Sequence, residues 1–190
     1  MDELRIGYAL TGSFCTFSKA FAQIELLKEK GFDVYPIMSY NAADTDTRFG
    51  KAETFINTAV QLTGHDVIKT LIDAEPVGPR KMFDLLVVSP CTGTTLSKLA
   101  NGIYDTPVTL AVKSHLRNQR PVLIGVSTND ALNMSAKNIG MLLSRKNYYF
   151  LPMKQDDYEN KPFSVVCDFE KTYDAILLAL NGKQIQPIIH

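Results

Sequence analysis

Two short stretches, FDLLVVS at residues 83–89 and PVLIGVS at 121–127, are apolar at almost every position. A strand with one face in water alternates polar and apolar residues, so a run this continuous belongs in a sheet covered on both faces. Such sheets are mostly parallel, and their strands are joined by helical crossovers. The rest of the chain supplies those crossovers. RIGYALT (5–11) is another apolar run, after which Phe17, Ala20, Phe21, Ile24 and Leu27 recur at helical spacing up to the helix-ending Gly31. DVYPIMS (33–39) is a second strand. The polar, turn-rich NAADTDTRFG (41–50) follows, and then Phe49, Ala52, Phe55, Ile56, Ala59, Val60 and Leu62 mark a helix closing at Gly64.

The remaining segments keep the rhythm: a short helix in DVIKTLID (66–73), helices in TTLSKLANGI (94–103), PVTLAVKSHLRNQ (107–119) and 131–144, a strand in NYYFLPM (147–153), and a last helix over 169–180. The pattern predicts one domain over residues 1–190, a three-layer α/β/α fold with a Rossmann-like parallel sheet of about six strands. KQDDYENKP (154–162) is the expected mobile loop.

Twenty basic against twenty acidic side chains, dispersed along the chain, give no basic footprint for nucleic acid. Cys15, Cys91 and Cys167 are odd in number and far apart, and only three histidines accompany them, so neither a disulfide framework nor a metal site is expected. MDELRIGYAL begins with acids and runs straight into a strand, unlike a signal peptide, and no apolar run reaches the roughly 18 residues of a membrane span. The expectation is a cytoplasmic protein.

Four strands end in small hydroxyl or amide groups: Thr11-Gly12-Ser13, Ser39-Tyr40-Asn41, Ser89 through Thr95, and Ser127-Thr128-Asn129. Strand ends of a parallel sheet share one edge, so these groups are expected to line one crevice, where helix N-termini add N–H groups suited to an anion. Each could equally cap a helix. The dinucleotide pattern G-x-G-x-x-G is missing after the first strand.

TGSFCTFSKA (11–20), SPCTGTTLSKLANGI (89–103) and the spacing of AETFINTAVQLTGHDV (52–67) resemble the flavoprotein family that includes the homo-oligomeric flavin-containing cysteine decarboxylases and the flavin prenyltransferases. The likeness runs over nearly the whole chain. It implies FMN at the carboxyl edge of the sheet, often between protomers of a trimer or dodecamer. Position by position, it puts Gly12, Ser13 and Phe14 at the FMN phosphate with a hydroxyl from Ser39, and makes Thr92, Gly93, Thr94 and Thr95 the cofactor loop, with Ser89 and Pro90 at its start. Gly93 is expected to let the backbone approach the ligand.

The chain also departs from that family. Where the decarboxylases carry a histidine, fourteen residues before the loop proline, Pro76 stands here. Their substrate motif is eroded to VSTNDALN (126–133), which keeps Asn129, either a hydrogen-bond donor to a substrate carboxylate or an N-cap. His65 sits at a helix end, where capping is expected rather than catalysis. His115 and His190 have no better claim. Cys91, inside the loop, is either a nucleophile or a packing residue; no base stands near it in sequence, which favours packing. Tyr40, Tyr148 and Tyr149 could stack on a ring.

The resemblance therefore implies an FMN-dependent redox component, working with a second, Rossmann-type component, that aromatises the ring of a small dicarboxylate by two-electron oxidation. Decarboxylation or prenyl transfer is one alternative. A non-catalytic scaffold that binds phosphate or a nucleotide is another.

Overall fold

A computed structural model describes residues 3–190. The strands are β1 (Arg5–Leu10), β2 (Asp33–Met38), β3 (Leu85–Cys91), β4 (Val122–Thr128), β5 (Tyr148–Phe150), β6 (Met153–Lys154) and β7 (Val165–Cys167). The helices are α1 (Phe17–Glu29), α2 (Tyr40–Asp44), α3 (Ala52–Thr63), α4 (Leu71–Ala74), α5 (Gly93–Asn101), α6 (Pro107–Leu116), α7 (Ala136–Leu143) and α8 (Thr172–Leu180).

β2, β1, β3 and β4 lie side by side in parallel, with Gly7 opposite Tyr35 and Leu86, and Leu86 opposite Val122. The outer edge of β4 is divided. Its first half pairs in parallel with β5 and its end pairs antiparallel with β7, which in turn carries β6. The main part is the expected parallel sheet; the β6–β7 hairpin adds an antiparallel corner. β7 is three residues long, too short for its apolar pattern to stand out in the sequence.

β3 is buried at every position, as its continuous apolar run requires. Leu85 and Val87 point to one face, where Ile6, Tyr8, Leu10 and Leu123 meet α1, α3 and α8. Leu86 and Val88 point to the other, where Ile124 and Val126 meet α5, α6 and α7. These are the three layers. α3 closes at Gly64 in the left-handed conformation, as expected from its position.

Three local expectations change. Of DVIKTLID only α4 is helical, because Ile68 pairs with β2 instead: its N–H donates to Pro36 O at 2.9 Å and its carbonyl accepts from Met38 N at 2.9 Å. The helix expected over 131–144 begins only at Ala136, after turns. Phe49 is not on α3, and the short α2 occupies the start of the polar stretch before it.

His115 lies under α6, 1% exposed, with Nε2–H donating to the carbonyl of Pro121 at 3.0 Å. Burial lowers its pKa from 6.5 to about 4, outweighing the opposing pull of that hydrogen bond. The unfolded chain therefore takes up a proton below pH 6.5 that the folded chain refuses until about pH 4. The linked stability is intact above pH 6.5 and is lost on acidification through that window, to the extent of about 3 kcal/mol. His115→Gln keeps a donor for Pro121 and removes the titration. Denaturation midpoints taken across this pH range should fall less steeply for the variant than for the wild type; parallel curves would contradict the assignment.

Candidate functional site

The carboxyl ends of β1, β3 and β4 open on one cleft of about 730 Å³, within the roughly 300–1,000 Å³ typical of small-molecule sites. It lies where the strand order reverses: β2 lies on one side of β1, and β3 on the other. Crevices form at such points because the two crossovers leave in opposite directions.

Thr11, 1% exposed, ties the two central strand ends together. Its hydroxyl donates to the carbonyl of Pro90 at 2.8 Å and accepts from the N–H of Thr92 at 3.0 Å. Beyond it, the turn into α1 brings Gly12, Ser13 and Phe14 to the cleft, followed by Cys15 and Thr16. The Thr16 hydroxyl closes that turn by donating to the carbonyl of Ser13 at 2.8 Å. Thr92 caps α5, its hydroxyl accepting from Thr95 N, and Gly93 and Thr94 face the cleft beside it. From β4 come Ser127, Thr128, Asn129 and Asp130, and the hydroxyls of Ser13 and Ser127 stand 3.1 Å apart.

Seven of the expected residues thus share one cleft: Gly12, Ser13, Phe14, Thr92, Gly93, Thr94 and Asn129. Ser39, Ser89, Pro90 and Thr95 stand outside its lining. The Ser39 hydroxyl caps α2, accepting from Ala42 N at 3.3 Å. Ser89 is wholly buried, 3.7 Å from the thiol of Cys167. The Pro90 carbonyl is taken by Thr11, and the buried Thr95 hydroxyl lies 3.2 Å from that of Thr92. Asn129 is exposed and caps nothing, since α7 starts seven residues later with Ser135 before it.

The histidines lie elsewhere. His65 Nε2 is 2.7 Å from Asp33 Oδ1, and its ring stacks on Tyr35 with centroids 3.9 Å apart, near the start of β2 and so at the opposite end of the strands. Asp33 is held below the usual carboxylate range: partial burial alone would raise it, but hydrogen bonds from His65 and Tyr35 and the charges of His65 and Lys28 outweigh that. Neither His115 nor His190 lines the cleft, and Tyr40, Tyr148 and Tyr149 do not either. Cys91 is fully buried, and burial pushes its thiol far up, so it packs.

Two groups escaped the sequence reading. Arg48 and Phe49 reach the cleft from the loop before α3, and Asp156, Lys161, Ser164, Val165 and Val166 from the β6–β7 hairpin. The signal for the first was the Thr-Arg-Phe-Gly turn, obscured when Phe49 was placed on a helix face. The second lay in and just after the stretch read only as a mobile loop.

Residues 1–175 match the family model described as Flavoprotein. The chain is 43% identical over 185 residues to the B-type subunit of dipicolinate synthase from Bacillus subtilis (strain 168), covering 97% of this chain and 92% of that one. The crystal structure of the corresponding B-type dipicolinate synthase subunit from Bacillus halodurans C superposes with a TM-score of 0.90 at 40% identity, covering 100% of this chain and 98% of that one. The chain belongs to the flavoprotein family. A more distant solved structure, Burkholderia xenovorans DmrB in complex with FMN, shares the fold at a TM-score of 0.69 and 16% identity, covering 95% and 97%.

Pro76 stands where the resemblance implies a histidine. It lies in the turn Glu75–Val77, which packs against α6, outside the cleft's lining. No histidine lines the cleft among the described residues; its titratable side chains are Cys15, Arg48, Asp130, Asp156 and Lys161.

Gly93 lines the cleft and also packs against the loop after β4. A Cβ on it would lie 2.6 Å from Asp130 Oδ1, 2.8 Å from Ser135 Oγ and 3.1 Å from Thr128 Oγ1. That loop leaves no room for a side chain at this position. Asp130 is fixed there by hydroxyl donors, from Thr128 at 2.7 Å and from Ser135 at 3.0 and 2.9 Å to its two oxygens. Gly93→Ala should therefore displace that loop and cost about 1–3 kcal/mol. Chemical denaturation measures it, and an unshifted midpoint would mean the Asp130 loop yields freely.

Proposed function

We propose that this chain is the flavin-binding component of a dipicolinate synthase, oxidising dihydrodipicolinate to dipicolinate (pyridine-2,6-dicarboxylate) during sporulation, with FMN as cofactor and the A-type dipicolinate synthase subunit for a partner. The observation that carries the reading is the meeting of three strand ends in one hydroxyl-lined cleft at the reversal of strand order. The 43% identity to the B-type subunit of a dipicolinate synthase supports the choice of substrate.

The residues fit the cofactor. A phosphate needs N–H and hydroxyl donors, and the turn 13–16 at the start of α1 offers both. The start of α5 suits it less, because the Asp130 carboxylate already faces Gly93 and a second anion there would be repelled. The phosphate is therefore assigned to Gly12, Ser13 and Phe14, and the flavin ring to the side of Thr92, Gly93 and Thr94. When bound, FMN supplies the two-electron acceptor that aromatisation requires.

The chain's own residues bind and orient. Converting the dihydro ring to a pyridine removes two electrons and two protons. Asn129, exposed at the end of β4, donates its amide to a substrate carboxylate. The Ser13 and Ser127 hydroxyls hold the two sides of the cleft together. Decarboxylation suits the site less well, for Pro76 stands where the resemblance implies the imidazole of the decarboxylases.

The working form is one domain per chain in a cytoplasmic homo-oligomer, a trimer or dodecamer. An apolar rim of Leu132, Met134 and Phe163, each half or more exposed and joined by Leu132 N donating to Phe163 O, supports such assembly. Among the described residues no helix is long and apolar enough to cross a membrane.

Purified protein mixed with FMN and passed through gel filtration should elute yellow with quenched flavin fluorescence, and Ser13→Ala should weaken that binding by about tenfold. With the A-type partner present, the complex should convert dihydrodipicolinate to dipicolinate. Protein that remains colourless after FMN, both alone and with that partner, would instead indicate a scaffold that binds only phosphate or a nucleotide.

A further inference from the structure

The charged side chains around the cleft are nearly all accounted for. Lys161 Nζ lies 3.7 Å from Asp156 Oδ2, and Asp130 accepts from the hydroxyls of Thr128 and Ser135. Arg48 is the exception: among the described residues it is the cleft-lining cation with no carboxylate partner.

Its position is built by the chain. Thr47 and Gly50 bond to each other in both directions, Thr47 N to Gly50 O at 2.9 Å and Gly50 N to Thr47 O at 3.1 Å, which leaves Arg48 and Phe49 at the tip of a two-residue turn. Phe49 N donates to the Thr47 hydroxyl at 3.1 Å, and Ala52 N donates to Asp46 Oδ1 at 2.9 Å, fixing the turn to the start of α3. Gly50 adopts φ +151°, and a Cβ there would meet the Phe55 ring at 2.8 Å, so the turn is held against the core. The tip carries a guanidinium 4.9 Å from the Phe49 ring centroid, and that ring is 48% exposed.

We infer that Arg48 is the specificity-determining residue for the second carboxylate of a planar dicarboxylate, with the face of Phe49 forming a wall for its ring. The inference rests on the proposed function and adds a residue that the proposed function leaves unused. A guanidinium presents paired donors matched to a carboxylate, and a flat aromatic beside it suits a flat ligand. Asn129, on the β4 side of the cleft, offers only a neutral amide. One cation and one amide on separate walls distinguish two acidic groups from one. On this reading the phosphate takes the donors of the turn into α1, and the substrate carboxylate takes Arg48 in the loop before α3.

The test uses the full chain, with and without FMN, and two probes: pyridine-2,6-dicarboxylate and pyridine-2-carboxylate. Calorimetry on the wild type should show the dicarboxylate binding more tightly. Arg48→Met should weaken the dicarboxylate by about tenfold or more, leave the monocarboxylate and FMN within about twofold, and so abolish the preference. Arg48→Lys, which keeps the charge without the fork, should restore part of it. Equal thermal midpoints for the three proteins confirm that each is folded. The inference fails if Arg48→Met preserves the preference, or if it lowers FMN affinity instead, which would give Arg48 to the cofactor. A protein that binds no FMN but discriminates the two acids through Arg48 would overturn the flavin reading and leave this one standing.

Discussion

The cleft exists because one buried hydroxyl holds two strands together at the point where the sheet would otherwise open. Past the last ladder bonds between β1 and β3, Pro90 has no N–H to offer and the register of β3 against β4 slips between Val88 and Cys91. Thr11 takes over there. Its hydroxyl and its N–H both donate to the Pro90 carbonyl, at 2.8 and 3.3 Å, and the same hydroxyl accepts from Thr92 N. An unpaired carbonyl and amide buried at this depth would each cost about 1–3 kcal/mol. One threonine satisfies both, and the two turns that leave it, into α1 and α5, become the facing walls of the site.

Charge is handled just as locally. A cleft meant for a phosphorylated cofactor and an acidic substrate would ordinarily carry a basic cluster, and this one does not. Its one internal carboxylate, Asp130, takes hydrogen bonds from two hydroxyls and closes against Gly93, which gives it a structural role in holding the loop after β4. The hydroxyls of Ser13 and Ser127 and the turn into α1 are what remain for an anion, together with Arg48 at the rim. On the proposed reading, neutral donors in the cleft and the unpaired Arg48 at its edge separate two kinds of anion by position instead of by strength.

The legible part of the sequence was whatever depends on burial over several residues. The continuous apolar runs at 83–89 and 121–127 could only be central strands, and Gly31 and Gly64 ended their helices where the pattern stopped. The site residues on the ends of β1, β3 and β4 followed from the same geometry. What escaped is what depends on one or two residues. β7 is three residues long; Ile68 leaves a helical pattern because two hydrogen bonds to β2 are available; and Phe49 fits the spacing of α3 yet is turned into the cleft by the Thr47–Gly50 pair. Ser39 and Ser89 have the right chemistry at the right edge, but a cap and a buried pocket beside Cys167 claim them. Periodicity reports which way a face points, and it is silent about which of two polar partners a hydroxyl will choose.

Among the described residues no imidazole reaches the cleft, and that suits an oxidation better than it suits a decarboxylation. Removing a hydride and a proton from a dihydropyridine is driven by the aromatic product, so the protein has little acid–base work to do beyond positioning. A site for that task needs a flat slot, anchors for two acidic groups and a rigid frame. The chain provides the frame through Thr11, the facing walls through the two hydroxyl turns and a rim through a hydrogen-bonded turn with Arg48 and Phe49 at its tip. His65, the histidine nearest in sequence to the position that Pro76 now fills, stacks on Tyr35 and pairs with Asp33 at the far end of the strands. A residue committed to tying the end of α3 to β2 cannot also serve a site at the carboxyl edge, so on the proposed reading the cleft's own residues orient the substrate.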